Sequence, residues 1–211
     1  MNIQLAGKVV DLDLPESLSI EAIASTLARN CRFNGALRDD VPVIWHSVAD
    51  HCVLVSALLQ CWTGDPDLAQ LGLLHDAHEA LIGDIPTPVK RWFGIADQEK
   101  ALEMQVLESF GMRERATARA LAKVKQADTE ALRIEVNMLE LKPHIFGFDS
   151  RTQESLRAAD REFCGARGLL QPVGDIALSS VLAASRDRFL DVYAGLLAQV
   201  DMPRLGEIAI A

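Results

Sequence analysis

Four of the five histidines fall between positions 46 and 78, and the densest run reads His75-Asp76-Ala77-His78-Glu79. Imidazole and carboxylate together suit a divalent ion such as Mn, Co, Ni, Fe or Zn, with Mg as a further candidate. An adjacent His and Asp on a helix point about 100° apart, so both reach one ion only when other helices complete the shell. Two other stretches offer donors. His51 interrupts an apolar stripe of Val48, Cys52, Val55, Leu58 and Leu59, and Asp128 interrupts another that carries Leu121, Val124, Ala131, Leu132 and Glu135. An unpaired carboxylate in such a place is costly. His51, His75, Asp76 and Asp128 therefore form a candidate mononuclear metal site, with positions left for water and a phosphate oxygen. The same residues also admit plainer roles. A single His on an apolar face is often a hydrogen-bonded core residue, and Asp128 has Lys123, Lys125 and Arg133 nearby as ion-pair partners.

The elements that must hold these residues are helical. Residues 2–14 alternate loosely around Gly7 and predict a short hairpin or extended arm before Pro15. Ser19 precedes a helical run to about Asn30, and Ser47 is a good N-cap for a second helix that Gly64-Asp65-Pro66 closes. Between them, Asn34-Gly35, Asp39-Asp40 and Pro42 predict a loop, with His46 at the pocket mouth. A third helix, apolar nearly all round and so central, is expected over about 67–82, ended by Gly83 and the prolines 86 and 88. Further helices are expected over about 96–110, 114–140 and 178–199, with a partly irregular connection through Pro143, Gly147, Pro172 and Gly174.

The chain has 211 residues, 21 Lys+Arg against 30 Asp+Glu, and so a net charge of −9, which argues against a coat for a nucleic-acid polymer. Its 49% apolar and 24% charged fractions belong to an ordinary globular domain, and 5% aromatics in a Leu- and Ala-rich chain favour helices. No secretory signal and no bilayer-length apolar run is visible, so no membrane contact is expected. Cys31, Cys52, Cys61 and Cys164 lack CxxC spacing and read as buried free thiols of a cytoplasmic protein.

The order H…HD…D resembles that of the HD-domain phosphohydrolases, which bind one divalent metal inside an all-helical bundle. More narrowly, LLHDAHEALIGDIPTPVK (73–90), CRFNG…WHSVADH (31–51) and VKQADTEALRIE (124–135) are similar to the blocks of the HD-domain 5′-deoxynucleotidases and cover about a third of the chain. Related short phosphohydrolases of phages and bacteria share the RFNG and SVA-x-H blocks. The resemblance implies an all-α fold with a single HD domain over 1–211, its core at about 19–142 and a C-terminal helical extension at 143–211. It also implies a homodimer through helical faces.

By the same resemblance, Glu79 matches the acid that positions or deprotonates the attacking water; it lies i+4 from His75 and i+3 from Asp76, so it overhangs an ion held by that pair. Asp76 shares the catalytic role. Asp84 matches the aspartate that faces the sugar and favours deoxyribose, Arg32 a phosphate-binding arginine, and Phe33 an aromatic residue against the nucleoside. Lys90, or its neighbour Arg91, adds a second positive charge for phosphate, and Thr87 a hydroxyl. Pro86 and Pro88 stiffen the loop that carries Asp84. His78 is not expected as a second ligand, because relatives carry a small residue there and only His144 remains downstream; a single metal is expected. The loop before His51 is longer than in the deoxynucleotidases, and its Arg38 is a candidate reader of extra phosphates. The expected function is metal-dependent hydrolysis of deoxynucleoside 5′-monophosphates to deoxynucleoside and phosphate. The alternatives are a deoxynucleoside triphosphate triphosphohydrolase on the same site and a non-catalytic helical module that senses a nucleotide. A ppGpp-type hydrolase is disfavoured, since Glu79 is followed by Ala80 rather than a second acid.

Overall fold

In the computed structural model, residues 2–11, 18–35, 45–169 and 177–200 are described; Pro15, the loop 36–44 with Arg38, Asp39, Asp40 and Pro42, and the pair Pro172 and Gly174 lie outside them. The fold is all-α with a short N-terminal hairpin. Strands β1 (Asn2–Leu5) and β2 (Lys8–Asp11) pair antiparallel from Asn2↔Asp11 to Leu5↔Lys8. Ala6 and Gly7 turn the chain with φ of 47° and 83°, the left-handed pair that a two-residue hairpin requires. Leu5 and Val10 point into the core.

Helix α1 (Ile20–Leu27) starts where Ser19 accepts a hydrogen bond from the Ala22 N–H, and α2 (Val48–Thr63) where Ser47 accepts one from Asp50. Each such cap is worth about 1 kcal/mol. Helix α2 is buried on nearly every side and ends at Gly64 in the left-handed conformation. Asp65 caps α3 (Pro66–Leu74), which folds back along α2. Closeness of that pair depends on Gly72, where an added Cβ would run into the Leu59 Cδ1 atom and come within 3.3 Å of Val55 Cγ1.

The central helix expected over 67–82 is not continuous. After Leu74 the ladder changes to i→i+3 bonds (Ala77 to Leu74, Glu79 to Asp76, Ala80 to Ala77, Leu81 to His78), and α4 spans only Glu79–Ile82. Helix α5 (Thr87–Phe93) and α6 (Ala96–Ser109) follow, then α7 (Ala118–Met138), shorter than the expected 114–140 because Thr117 caps it. The stretch expected to be partly irregular holds a 3-10 turn (Pro143–Phe146) and a whole helix, α8 (Ser150–Gly165), capped by Asp149.

Helices α7 and α9 (Leu178–Val200) complete the packing around α2 and α3, and α9 also covers α1. A buried Asp50 on α2 accepts hydrogen bonds from Ser47 (2.7 Å) and Ser185 (2.6 Å) and pairs with Arg188, which fixes α9. Arg133 grips Asp160 through two bonds of 2.9 and 2.6 Å, and Asn137 adds a third at 2.6 Å, which fixes α8 on α7. All four cysteines are free; Cys52 and Cys164 are buried, but Cys31 is half-buried and Cys61, near the C-terminal end of α2, is exposed. No described helix is long and apolar enough to cross a membrane.

Gly72→Ala sets helix propensity against packing. Alanine favours a helix over glycine by about 1 kcal/mol, but overfilling the α2–α3 contact costs about 1–3 kcal/mol. The variant should be the less stable protein in urea unfolding, with a midpoint below that of the wild type.

Candidate metal centre

Three elements bring four of the expected residues together: His51 from α2, His75 and Asp76 from the tightened turn after α3, and Asp128 from α7. The His51 Nε2 atom lies 3.3 Å from Asp128 Oδ1 and 3.6 Å from Asp76 Oδ2. The His75 Nε2 atom lies 3.1 Å from Asp76 Oδ2 and 4.0 Å from Asp128 Oδ1. The donor atoms of His51, His75 and Asp76 fall within 4.8 Å of one another, close enough to hold one ion.

The two rings are oriented for that task. His51 Nδ1 donates to Glu135 Oε1 at 2.7 Å, and His75 Nδ1 donates to the Gly72 carbonyl at 2.8 Å. A carboxylate and a carbonyl only accept, so in each neutral ring the proton sits on Nδ1 and the Nε2 lone pair is free. Both Nε2 atoms are buried without a hydrogen-bond partner. Two aimed, unpartnered imidazole nitrogens beside two carboxylates match the donor set of a divalent metal.

Electrostatics record what happens without one. Burial opposes charge on His75, but the Asp76 carboxylate beside it raises the imidazole well above its ordinary range. Burial likewise opposes ionisation of Asp76 and Asp128, and the histidines overcome it and hold both carboxyls low. A metal bound here would displace the protons that these shifts favour on the imidazoles. Asp128 also meets Lys125 at 2.6 Å on the exposed side, so the ion-pair alternative and the ligand position coexist; Arg133 turns away to Glu130 and Asp160.

Glu79 lies one 3-10 turn beyond Asp76, where residues i and i+3 eclipse. Its carboxyl is buried, its Oε2 has no partner, and its Oε1 is 3.7 Å from Lys90 Nζ. Burial, then the neighbouring Asp76 and Asp84 charges, push its pKa up to about 9. Arg32 donates to Glu135 Oε2 at 3.1 Å and comes within 3.9 Å of Asp84; its Nε is buried and unpartnered. Phe33 and Asn34 follow in the left-handed region (φ 58° and 53°), a strained turn that sets the Phe33 ring 5.3 Å from the Arg32 guanidinium and edge-on to Phe146. Thr87 is exposed at the start of α5, and among the described residues no contact ties it to the cluster; Arg91 is exposed as well. A cleft of about 260 Å³ opens from His75, Asp76, His78 and Asp128 between α6 and α7, with Lys90, Lys100 and Lys125 on its walls.

Sequence reasoning missed Glu135 as a functional residue. It is completely buried on the stripe of Asp128 and accepts from His51, from Arg32 and from His46 Nε2 at 2.8 Å. His46 is accordingly not at a pocket mouth; it is 2% exposed, drawn inward by the Cys31↔Ser47 bridge and the Arg32 N–H bond to its carbonyl. Asn30 was missed too, and its side-chain amide donates to the Glu79 carbonyl at 2.8 Å. The one available signal for Glu135 was a charge standing on an otherwise apolar stripe.

No protein-family model matches the chain. It is 33% identical over 143 residues to the uncharacterized protein RCAP_rcc00048 of Rhodobacter capsulatus, a match that covers 64% of this chain and 70% of that protein. It is 34% identical over 98 residues to the uncharacterized protein YfdR of Escherichia coli, covering 46% of this chain and about half (49%) of that relative.

Glu135→Gln keeps the shape but gives His51 Nδ1 an amide in place of a carboxylate; loss of such a support lowers metal affinity by about 10–100-fold. Titration with Mn²⁺ by calorimetry checks this. Glu79 adds a pH effect. Its folded pKa of about 9 exceeds the ordinary 4.5, so the folded chain keeps a proton that the unfolded chain releases, and stability falls as pH rises through that window. In metal-free protein, Glu79→Gln should raise Tm over the wild type at pH 8 and lose that advantage at pH 4.

Proposed function

The chain belongs to the same family as the uncharacterized Rhodobacter capsulatus protein, and for it we propose the function that the site supports best, a divalent-metal-dependent phosphohydrolase acting on a nucleotide. The observation that carries the reading is the pair of unpartnered Nε2 atoms, each fixed through its Nδ1, converging with Asp76 and Asp128 beside a buried glutamate and a half-buried arginine. His51, His75, Asp76 and Asp128 would hold the ion, which when bound polarises a phosphoryl oxygen and acidifies a water.

The chain's own side chains supply the rest. Glu79 accepts the proton of the attacking water; its carboxyl is shielded from solvent and keeps one oxygen free of any partner. Arg32 sets fixed positive charge where the phosphate gains negative charge, and its orientation is held by Glu135. Lys90 adds a second positive charge at the cleft wall. The P–O ester bond breaks as the water oxygen bonds to phosphorus, the proton taken by Glu79 passes to the leaving oxygen, and the products are an alcohol and phosphate. Asp84, beside Arg32, accepts from the sugar 3′-hydroxyl, and Phe33 lines the nucleoside side, as the resemblance to the 5′-deoxynucleotidases implies. The preferred substrate is a deoxynucleoside 5′-monophosphate. Lys100 and Lys125, further along the cleft, favour a second reading in which a deoxynucleoside triphosphate is cut to nucleoside and tripolyphosphate.

A panel of ribo- and deoxynucleoside mono- and triphosphates, incubated with Mn²⁺-, Co²⁺-, Ni²⁺- or Mg²⁺-loaded protein, separates the readings by the anion released. Inorganic phosphate from deoxynucleoside monophosphates is expected, tripolyphosphate marks the second reading, and no release from any of them refutes both. Glu79→Ala should lower turnover by about 10²–10⁴-fold while the protein keeps its metal. His75→Ala should lose the metal itself, as read by elemental analysis.

A further inference from the structure

Beside the His51, His75, Asp76 and Asp128 cluster lies a second trio, two of whose members, His78 and Glu99, line the same cleft. His78, Glu79 and Glu99 each present a donor atom within 4.8 Å of the other two. His78 is 4% exposed and Glu79 2%, and His78 Nε2 comes 3.2 Å from Glu99 Oε1. Imidazole with two carboxylates is again a donor set that divalent ions accept. Two of its atoms, Glu79 Oε2 and His78 Nδ1, are buried without a hydrogen-bond partner.

This place already attracts a cation. The Lys90 ammonium pairs with Glu99 and sits 3.7 Å from Glu79 Oε1. Lys90 belongs to α5, a helix with no fully buried residue, whose next residues Arg91, Trp92 and Phe93 all face solvent. A lysine on such a helix is ordinarily solvated; this one turns inward, with its side chain 18% exposed. That ammonium reaches Glu99 but leaves Glu79 Oε2 and His78 Nδ1 without a hydrogen-bond partner, so donor atoms of the trio stay open to a cation.

We propose that His78, Glu79 and Glu99 form a second divalent-cation seat that Lys90 fills in place of a metal. The ammonium keeps a second ion out, and its removal opens the seat to one. The inference stands on this trio and does not require that the first cluster bind metal or that the protein hydrolyse phosphate.

Equilibrium dialysis of the full chain against Mn²⁺, followed by elemental analysis, tests it through a difference. Lys90→Met, which keeps an unbranched stem, should take up one more Mn²⁺ per chain than the wild type. Adding His78→Ala to Lys90→Met should return the count to the wild-type value. Circular dichroism establishes that each variant is folded, and Lys90→Gln replaces Lys90→Met if that variant is not. An equal count in the wild type and the lysine variant overturns the proposal, as does an extra ion that persists without His78. Because the readout is a difference, a wild-type chain that binds no metal refutes the phosphohydrolase reading and still leaves this one decided by the variants.

Discussion

The carboxylate of Glu135 is the interaction on which the rest of the site depends. It has no exposure, and it collects donors from three places: the His51 imidazole on α2, His46 just before that helix, and the Arg32 guanidinium of the turn that follows α1. A buried charge stripped of such partners costs about 3–5 kcal/mol, so the register of α7 against α2 is set by the need to satisfy it. Burial alone would force the group neutral, and the Arg32 and His51 charges hold it well below the usual carboxylate range instead. Seven residues earlier on the same helix, Asp128 projects from nearly the same face. Helix α7 therefore fixes His51 by one nitrogen and offers a carboxylate to the other.

The turn after Leu74 is the second constraint. A continuous α-helix would carry His75, Asp76 and Glu79 on past the cluster with 100° between neighbours. Instead the bonds shorten to i→i+3, and the Glu79 N–H donates to the Asp76 carbonyl, which sets Glu79 over Asp76. His75, Asp76 and His78 then border one cleft, and Glu79 is buried beside them. Gly72 belongs to the same device from the other side. Its missing Cβ lets α3 settle against Val55 and Leu59, and its carbonyl anchors the His75 ring. Packing and ligand orientation thus meet at one residue.

Much of this was legible in the sequence, for identifiable reasons. Ser19, Ser47 and Gly64 marked helix ends because caps act locally. His51 and Asp128 stood out because polar groups on apolar stripes must be satisfied by something. What was hidden depended on partners far along the chain. Glu135 also interrupts a stripe, but nothing local reveals that its donors come from 84 and 103 residues away. The inward course of His46 follows from a bridge between Cys31 and Ser47 across the loop, not from its distance to His51. The break at His75 to His78 is a change in hydrogen-bond spacing, and the polar run there does not by itself reveal it. Helix α8 was missed because it is largely polar, held to α7 by Arg133, Asn137 and Asp160 rather than by an apolar stripe.

Charge explains why such a cluster needs a cation of some kind. Asp76, Glu79, Asp84, Asp128 and Glu135 are five acidic side chains in one neighbourhood, against Arg32, Lys90 and, on the exposed side, Lys125 as fixed positive charges. With no ion present the remaining imbalance is met by protons: His51 and His75 are raised, and Glu79 is pushed far above its ordinary value. Each of these protons sits on an atom that would otherwise be a ligand or a base. A divalent ion would displace them together, turning both imidazoles into donors and freeing Glu79 to accept a proton. The acidic surplus of the whole chain is thus concentrated in part at one point, where a small divalent cation would offset it and in turn attract an anion.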